Sequence, residues 1–409
     1  MNPSPETNHQ YKAAFWPLVL IAAAILMITM GSRQSMGLFI APMHADTGLS
    51  VLSISFALAV GQFFWGVSQP AFGALADRYG PMPVLMGGGL LLASGIALTP
   101  LVKNEWALVF TLGVMTAAGA GAGSFSILIG AAAQRVAPER RSFASGFINA
   151  GGSFGQFVFA PLNQALIASF GWAKAFWALA VISLATLPLA WKLGGSAPAK
   201  AEAQHELRMG EQLRIAFRDR SYWCLHLGFF TCGFHIAFLV THLPGEVNLC
   251  GLSANVAATS LAVIGIANIA GSLGAGVLGT RFRMKYILFW MYATRAVAIG
   301  LYLMAPKTAL TFYVFAAVLG LTWLATVPPT AGLVGKLFGT RYLATLFGMT
   351  LLSHQIGGFL GAYLGGLAFV HWGGFTSMWW ADMGLALAAA FINLPIKEAR
   401  LEPRLATAN

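Results

Sequence analysis

The stretch TMGSRQSMGLFIAPMHADTGLS, residues 29–50, places a single arginine inside an otherwise apolar run. A related stretch, TCGFHIAFLVTHLPGEVNLCGLS, occupies residues 231–253. At one constant offset, Thr29, Gly31, Arg33 and Pro42 fall on Thr231, Gly233, His235 and Pro244. The match indicates an internal duplication in which the cation of the first copy became a histidine in the second.

The composition predicts an all-α membrane protein. Of 409 residues, 57% are hydrophobic and 9% are charged, which is too apolar for a water-soluble globule with a polar shell. Runs of about 19 to 30 apolar residues can each cross a hydrocarbon core of about 30 Å as a helix. Twelve such runs, called spans 1 to 12, are predicted at residues 14–42, 50–76, 82–101, 105–133, 141–168, 172–192, 221–243, 253–280, 286–304, 309–336, 341–368 and 374–395.

The basic residues predict the orientation. With the N-terminus inside, nineteen lysines and arginines lie on the inner side and three lie outside, namely Lys103, Lys174 and Lys307. The positive-inside rule therefore places both termini in the cytoplasm, with the chain crossing the inner membrane many times. This distribution also explains the net charge of +11 without a nucleic-acid partner. The first thirteen residues lack the features of a signal peptide, so we expect the first helix to be retained.

The chain divides at its one long polar segment. Residues 193–220 form the predicted cytoplasmic linker between an N-terminal six-helix bundle, residues 1–192, and a C-terminal one, residues 221–409. The second half of the linker, Gln204 to Arg220, fits either an amphipathic interfacial helix or a solvated loop. The three cysteines give neither a disulfide framework nor zinc-ligand spacing, so no metal or cofactor is expected.

A loop motif connects this chain to a known family. Gly73-x-x-x-Asp77-Arg78-x-Gly80 follows span 2, and Thr280-Arg281 stands at the equivalent place after span 8. The motif resembles the conserved loop of major facilitator transporters, and the resemblance covers nearly the whole chain. It implies two pseudo-symmetric six-helix bundles with substrate near the midplane between them. It also implies that Asp77 and Arg78 form a cytoplasmic latch that engages helix ends and basic residues such as Arg141, and this latch is asymmetric because Thr280 replaces the aspartate.

Four segments resemble the bacterial monocarboxylate and oxalate/formate exchanger group within that superfamily. In that group, oxalate exchangers hold substrate with an arginine in span 8 and a lysine in span 11, where this chain offers Asn268 and His354. The segments are Gly31-Ser-Arg33-Gln-Ser-Met-Gly37-Leu-Phe39, Gly233-Phe-His235-Ile-Ala-Phe-Leu, Ser353-His354-Gln355-Ile-Gly357-Gly358 and Trp379-Trp380-Ala-Asp382.

Arg33 is the first candidate for substrate binding, because an intramembrane charge costs at least about 2.5 kcal/mol and needs a partner or a cavity. The family resemblance places span 1 and span 7 along the central cavity, so Arg33 and His235 are expected to oppose each other. A guanidinium pairs well with a carboxylate or phosphate, which indicates an anionic substrate. The alternative is that Arg33 bonds helix carbonyls or pairs within its own bundle.

Arg295 and Asp382 lie near the midpoints of spans 9 and 12. Both spans are peripheral in this fold and belong to the same half, so the first interpretation is a buried structural ion pair. The alternative makes Asp382, the only carboxylate predicted away from the ends of a span, a proton carrier.

Three further side chains are candidates for the same cavity. His354 and Gln355 lie in span 11 and Asn149 lies in span 5, among glycines that also favour close helix packing. Because histidine titrates near pH 6.5, His235 and His354 are candidates for proton coupling beside Asp382. The alternative for His354 is a hydrogen bond between helices.

These features predict a monomeric secondary transporter, not an enzyme, that moves a small organic anion by alternating access. A monocarboxylate carried together with protons is the first hypothesis. Exchange of anions, including organophosphates, is the alternative, and multidrug efflux is disfavoured for cationic drugs by a positive cavity. A membrane-bound ligand sensor is the alternative from another functional class.

Overall fold

The computed structural model describes residues 5–34, 36–49, 51–194 and 208–399. The described residues form helices and connecting turns with no strand among them, and they follow the twelve predicted spans. Spans 1, 3, 4, 6 and 10 are each built from more than one helical segment. The main helices of spans 1 to 12 are Pro5–Gln34; Val51–Tyr79; Pro81–Leu98; Ala117–Ala122 and Phe125–Arg135; Arg141–Phe170; Trp172–Leu184 and Thr186–Leu193; Arg220–Leu249; Ala254–Arg281; Met284–Met304; Ala309–Thr322 and Val327–Phe338; Leu343–Trp372; and Thr376–Asn393.

Nine segments of the described chain are long and apolar enough to cross a membrane by themselves. Spans 2, 5 and 12 are not among them. Each of these three carries buried polar side chains, such as Gln69 in span 2, Asn149 in span 5 and Asp382 in span 12. Buried polar side chains therefore accompany the three spans that are not apolar enough to be counted by themselves.

The packing of the spans repeats in the two halves. In the first half, span 1 packs on span 5, span 2 on span 4 and span 3 on span 6. In the second half, span 7 packs on span 11, span 8 on span 10 and span 9 on span 12. The halves meet where span 2 packs on span 11 and span 5 packs on span 8. This pairing is the pseudo-symmetry that the duplicated sequence predicts.

The two halves contact each other closely on the side that carries the chain ends, called here the terminal side. A Cβ atom on Gly73 in span 2 would lie 2.6 Å from the carbonyl oxygen of Ala344 in span 11. A Cβ atom on Gly146 in span 5 would lie 2.6 Å from the carbonyl oxygen of Ser272 in span 8. Gln134 also donates to the carbonyl oxygens of Thr340 and Arg341 across the same side. The structure is therefore closed on the terminal side.

The linker contains one described helix. Met209–Arg218 lies within the segment predicted to be amphipathic, and its Gln212 Nε2 donates to the carbonyl oxygen of Phe338 at the end of span 10. Residues 195–207, the middle of the predicted linker, lie outside the described residues. The helix joins the linker to the terminal side of the C-terminal half.

Candidate functional site

Spans 4 and 10 are both interrupted near their middle, at duplicated positions. Span 4 breaks at Gly123 and Ser124, and span 10 breaks between the helices that end at Thr322 and begin at Val327. A break leaves backbone groups without helical partners, and in a membrane other protein groups must satisfy them. The partners of these backbone groups show which side chains the two halves place at the midplane.

The break in span 4 is served by neutral side chains. Thr29 Oγ1 donates to the carbonyl oxygen of Gly123 at 2.8 Å. Ser124 Oγ donates to Gln69 Oε1 at 2.9 Å. Spans 1 and 2 therefore fix the break without a buried charge.

At the break in span 10, the backbone groups bond to a cation, Arg295, and to the side-chain amides of Asn268 and Asn149. Arg295 Nη2 donates to the carbonyl oxygens of Thr322 at 2.6 Å and Trp323 at 3.1 Å. These carbonyls end the helix Ala309–Thr322, where the helix dipole favours a positive charge. Asn268 Oδ1 accepts from the Leu324 backbone N–H at 3.0 Å. Arg295 therefore caps a half-helix.

The predicted ion pair between Arg295 and Asp382 is wrong. Asp382 Oδ2 instead lies 2.5 Å from His235 Nδ1, and both side chains are 0% exposed. The sequence gives the position of a residue along its helix, but it gives no direction around the helix axis. Span 12 therefore turns its carboxylate toward span 7, and span 9 turns its guanidinium toward span 10.

His235 does not oppose Arg33 across a cavity, so that prediction is also wrong. Its ring is fully buried inside the C-terminal half, next to Asp382 and with its centroid 5.9 Å from the Trp323 ring. A carboxylate within the same half satisfies the imidazole more directly than a cavity would. The duplicated partner of Arg33 has become an internal group.

Arg33 lies in a different environment. Its guanidinium donates to Gln62 Oε1 and stacks on the Trp65 ring, with its carbon 4.2 Å from the ring centroid. Both contacts are with span 2, as the alternative of pairing within its own bundle expected, but both partners are neutral. Among the described residues, Arg33 has no carboxylate within ion-pair distance. The site therefore keeps a full positive charge.

The surface that holds Arg33 adjoins the C-terminal half. Gly66 follows Gln62 by one helical turn, and a Cβ atom on Gly66 would lie 2.8 Å from Gln355 Cβ in span 11. His354 Nδ1 lies 3.1 Å from Gln355 Nε2, and its ring packs 5.0 Å from that of Phe229. Gln62, the partner of Arg33, therefore lies one helical turn along span 2 from the contact with Gln355.

Asn149 lies between the halves at the contact of spans 5 and 8. Its Nδ2 donates to Ser272 Oγ at 2.7 Å and to the carbonyl oxygen of Leu324 at 2.8 Å. Asn268 Nδ2 completes the contact by donating to Ser153 Oγ at 2.6 Å. Asn149 is fully buried, so in this conformation it links the two bundles and the span 10 break.

The loop motif forms an inter-half contact at the terminal side. Asp77 Oδ2 accepts from the backbone N–H of Thr345 at 2.8 Å and from its Oγ1 at 2.6 Å. Thr345 stands in the first turn of Leu343–Trp372, where the positive end of the dipole favours a carboxylate. Arg141 donates to the carbonyl oxygen of Val136, while Gly80 turns the chain with φ +89°. Asp77 of the motif therefore contacts a helix end of the other half.

Sequence reasoning missed the two helix breaks and the partners of Arg33. The pair Pro328-Pro329 was the available signal for span 10, because proline favours the first turn of a helix. Gln62 and Trp65 stand three residues apart in an apolar span, which places them on one face. A search for polar residues on that face would have found Gln62.

Three comparisons place this chain among known proteins. The family model of the Major Facilitator Superfamily matches residues 21–362. An oxalate:formate antiporter of Oxalobacter formigenes is 24% identical over 357 residues, covering 86% of this chain and 84% of that protein. Monocarboxylate transporter 13 of Rattus norvegicus is 26% identical over 365 residues, covering 86% of this chain and 81% of that protein. These relatives confirm the resemblance to the monocarboxylate and oxalate/formate group.

A solved structure supports the fold at lower identity. The proton:xylose symporter XylE bound to 6-bromo-6-deoxy-D-glucose is similar with a TM-score of 0.77, covering 95% of this chain and 97% of that one at 14% identity. The helix order, the duplicated packing and the match to the family model agree. The chain belongs to the Major Facilitator Superfamily and is a multi-pass membrane transporter, not an enzyme.

Proposed function

We propose that this protein carries a small organic anion, with monocarboxylates as the first class, by alternating access between its two halves. The observation that carries the proposal is the Arg33 guanidinium, which is held by the neutral Gln62 and Trp65 next to the contact with Gln355. A guanidinium without a carboxylate partner can form a charge-assisted pair with a substrate carboxylate. The printed names of two relatives, an oxalate:formate antiporter and a monocarboxylate transporter, agree with this class.

The anion proposal is tested by a thermal-shift screen of the purified protein against carboxylates and organophosphates, repeated with Arg33→Ala. We expect monocarboxylates to raise the melting temperature of the wild type and not of Arg33→Ala. Lys174→Gln, which removes an exposed cation away from the site, is the matched control and should keep the full shift. A carboxylate that stabilises Arg33→Ala as much as the wild type contradicts the assignment.

We further propose that transport is coupled to protons through the His235 and Asp382 pair. The two side chains share a hydrogen bond in a region without exposed surface, where a change of charge has a large energetic effect. Nε2 of His235 has no hydrogen-bond partner among the described residues, so a proton can be gained there while the bond at Nδ1 is kept. His354, beside Gln355, is the second candidate.

Proton symport predicts that uptake falls as external pH rises and collapses when an uncoupler is added. Unchanged uptake under both conditions would overturn the coupling and leave the anion proposal intact. Anion exchange is the alternative, and stimulation of uptake by preloaded substrate would identify it. Ligand binding without flux in proteoliposomes would instead support the sensor hypothesis.

We propose that the terminal side faces the cytoplasm of a cell whose inner membrane holds the protein as a monomer. The excess of basic residues on that side supports this orientation. Reporter fusions at both chain ends should be active only as cytoplasmic reporters, and an active periplasmic reporter at either end would reverse the orientation.

A further inference from the structure

A groove of about 620 Å³ runs along the outer surface of the C-terminal half between spans 8, 9 and 10. Its floor includes Gly271 and Gly274 of span 8, and one wall is formed by Trp290 of span 9. Trp290 is 67% exposed, so this wall faces the surroundings of the bundle. In a membrane protein these surroundings are lipid chains, and the groove offers them a continuous apolar surface.

One end of this groove carries a basic side chain. Arg283, between spans 8 and 9, lines the groove on the terminal side and is exposed. The described residues give its guanidinium no hydrogen bond or ion pair, and no acidic side chain lines the groove. Arg281 and Lys285 flank it in sequence. The groove thus combines an apolar length with a positive end, which matches an acyl chain that ends in an anionic headgroup.

We propose that this groove is a binding site for one anionic phospholipid, with an acyl chain along span 8 and the headgroup phosphate at Arg283. Basic pockets between membrane helices attract anionic headgroups in this way. The inner end of the groove reaches Leu321 and Thr322, the residues just before the span 10 break. A bound chain therefore packs behind the carbonyl that Arg295 caps and stabilises the broken helix.

The headgroup is tested with the delipidated full-length protein in an uncharged detergent. Phosphatidylglycerol and phosphatidylcholine with identical acyl chains are added, and bound lipid is measured by native mass spectrometry. We expect phosphatidylglycerol to bind about fivefold more tightly, the factor that corresponds to about 1 kcal/mol per cation near an anionic lipid. Arg283→Gln should remove this preference. Arg281→Gln, an exposed cation that does not line the groove, should keep it.

The acyl chain is tested by filling the groove. A Cβ atom on Gly274 meets nothing within 4 Å, and Gly274 lines the groove, so the side chain of Gly274→Leu is expected to occupy it. We expect this variant to lose binding of both lipids. Gly265→Leu, an equally open position on the same helix outside the groove, is the matched control.

Three results would overturn the proposal. Equal loss of the preference in Arg281→Gln and Arg283→Gln would mean general surface attraction. Full binding in Gly274→Leu would exclude the groove. The melting temperature is also compared with phosphatidylglycerol and with glycerol phosphate, which lacks acyl chains. If both raise it equally, the site binds free phosphate and not a lipid chain.

Discussion

Arg33 and His235 occupy duplicated positions, yet the two halves use them in opposite ways. Arg33 contacts the neutral Gln62 and Trp65 beside the other half, and its charge has no carboxylate partner among the described residues. His235 is fully buried and bonded to Asp382. Duplication preserved the helices, and divergence separated a cation with neutral partners from a histidine that bonds a carboxylate inside one bundle.

The helix breaks differ in the same direction. Thr29 and Gln69 serve the break of span 4 with neutral groups, whereas Arg295 serves that of span 10 with a buried cation. The N-terminal half therefore keeps its positive charge near the contact between halves. The C-terminal half uses its positive charge for structure.

Removing the caps of the two breaks should destabilise the halves unequally. Arg295→Met leaves the Thr322 carbonyl without its donor, at a cost of about 1 to 3 kcal/mol, and leaves the Trp323 carbonyl with only the Cys232 thiol. Thr29→Val removes one hydroxyl bond to Gly123 and should cost about 1 kcal/mol. Thermal unfolding in detergent measures both. Equal losses in the two variants would contradict the structural role of Arg295.

Separating the buried pair should abolish proton coupling. We expect His235→Gln and Asp382→Asn each to remove the pH dependence of uptake, and the double variant to lose no more than either one, because they act as a unit. His226→Gln is the matched control, since that histidine of span 7 bonds Ser353 and no carboxylate. Additive losses in the double variant would show that the two residues act independently.

The two copies of the loop should differ when a methyl group is added. In Gly73→Ala the new Cβ would lie 2.6 Å from the Ala344 carbonyl oxygen, whereas in Gly276→Ala the nearest atoms lie at 3.0 Å. Overpacking of this kind costs about 1 to 3 kcal/mol, so Gly73→Ala should open the terminal side more.

Opening is measured with Ser142→Cys in a cysteine-free background, because Ser142 is 3% exposed in the contact between spans 5 and 8. An impermeant maleimide should label this cysteine faster in Gly73→Ala than in Gly276→Ala. The reverse order would show that the latch does not depend on the first loop.

Closure of the terminal side through Asp77 should also depend weakly on pH. Asp77 lies just past the predicted run 50–76, and burial raises its pKa from 3.8 to about 7 despite the bonds from Thr345. The closed state therefore binds a proton that the open state releases. The proton on Asp77 therefore favours the closed state over the open state fully below the ordinary pKa of 3.8, and this preference falls as the pH rises toward 7.

The reaction of a thiol with maleimide is itself slower at pH 5.5 than at pH 7.5. Ser142→Cys combined with Asp77→Asn measures this intrinsic difference in rate. We expect Ser142→Cys alone to show a larger difference in labelling rate between the two pH values. An identical pH ratio in both proteins would remove Asp77 from the control of closure.

The sequence predicted features that depend on local composition or on repetition. The twelve spans follow from alternating apolar runs and polar breaks, and the duplication follows from constant offsets. The direction of each side chain around its helix could not be predicted, because it depends on which neighbour packs there. For this reason the sequence pairs Asp382 with Arg295, whereas its partner in the structure is His235. The helix breaks could not be predicted either, because donors distant in sequence, such as Arg295, stabilise them.

We propose that Arg33, and not its duplicated partner His235, holds the anion. Calorimetric titration of the monocarboxylate that binds the wild type most tightly tests it with Arg33→Gln and His235→Gln. We expect Arg33→Gln to weaken binding about 10- to 100-fold, because a hydrogen bond to a charged group contributes about 1.5 to 3 kcal/mol. His235→Gln should bind within about threefold of the wild type because its ring is fully buried. Intact binding in Arg33→Gln together with lost binding in His235→Gln would contradict the account.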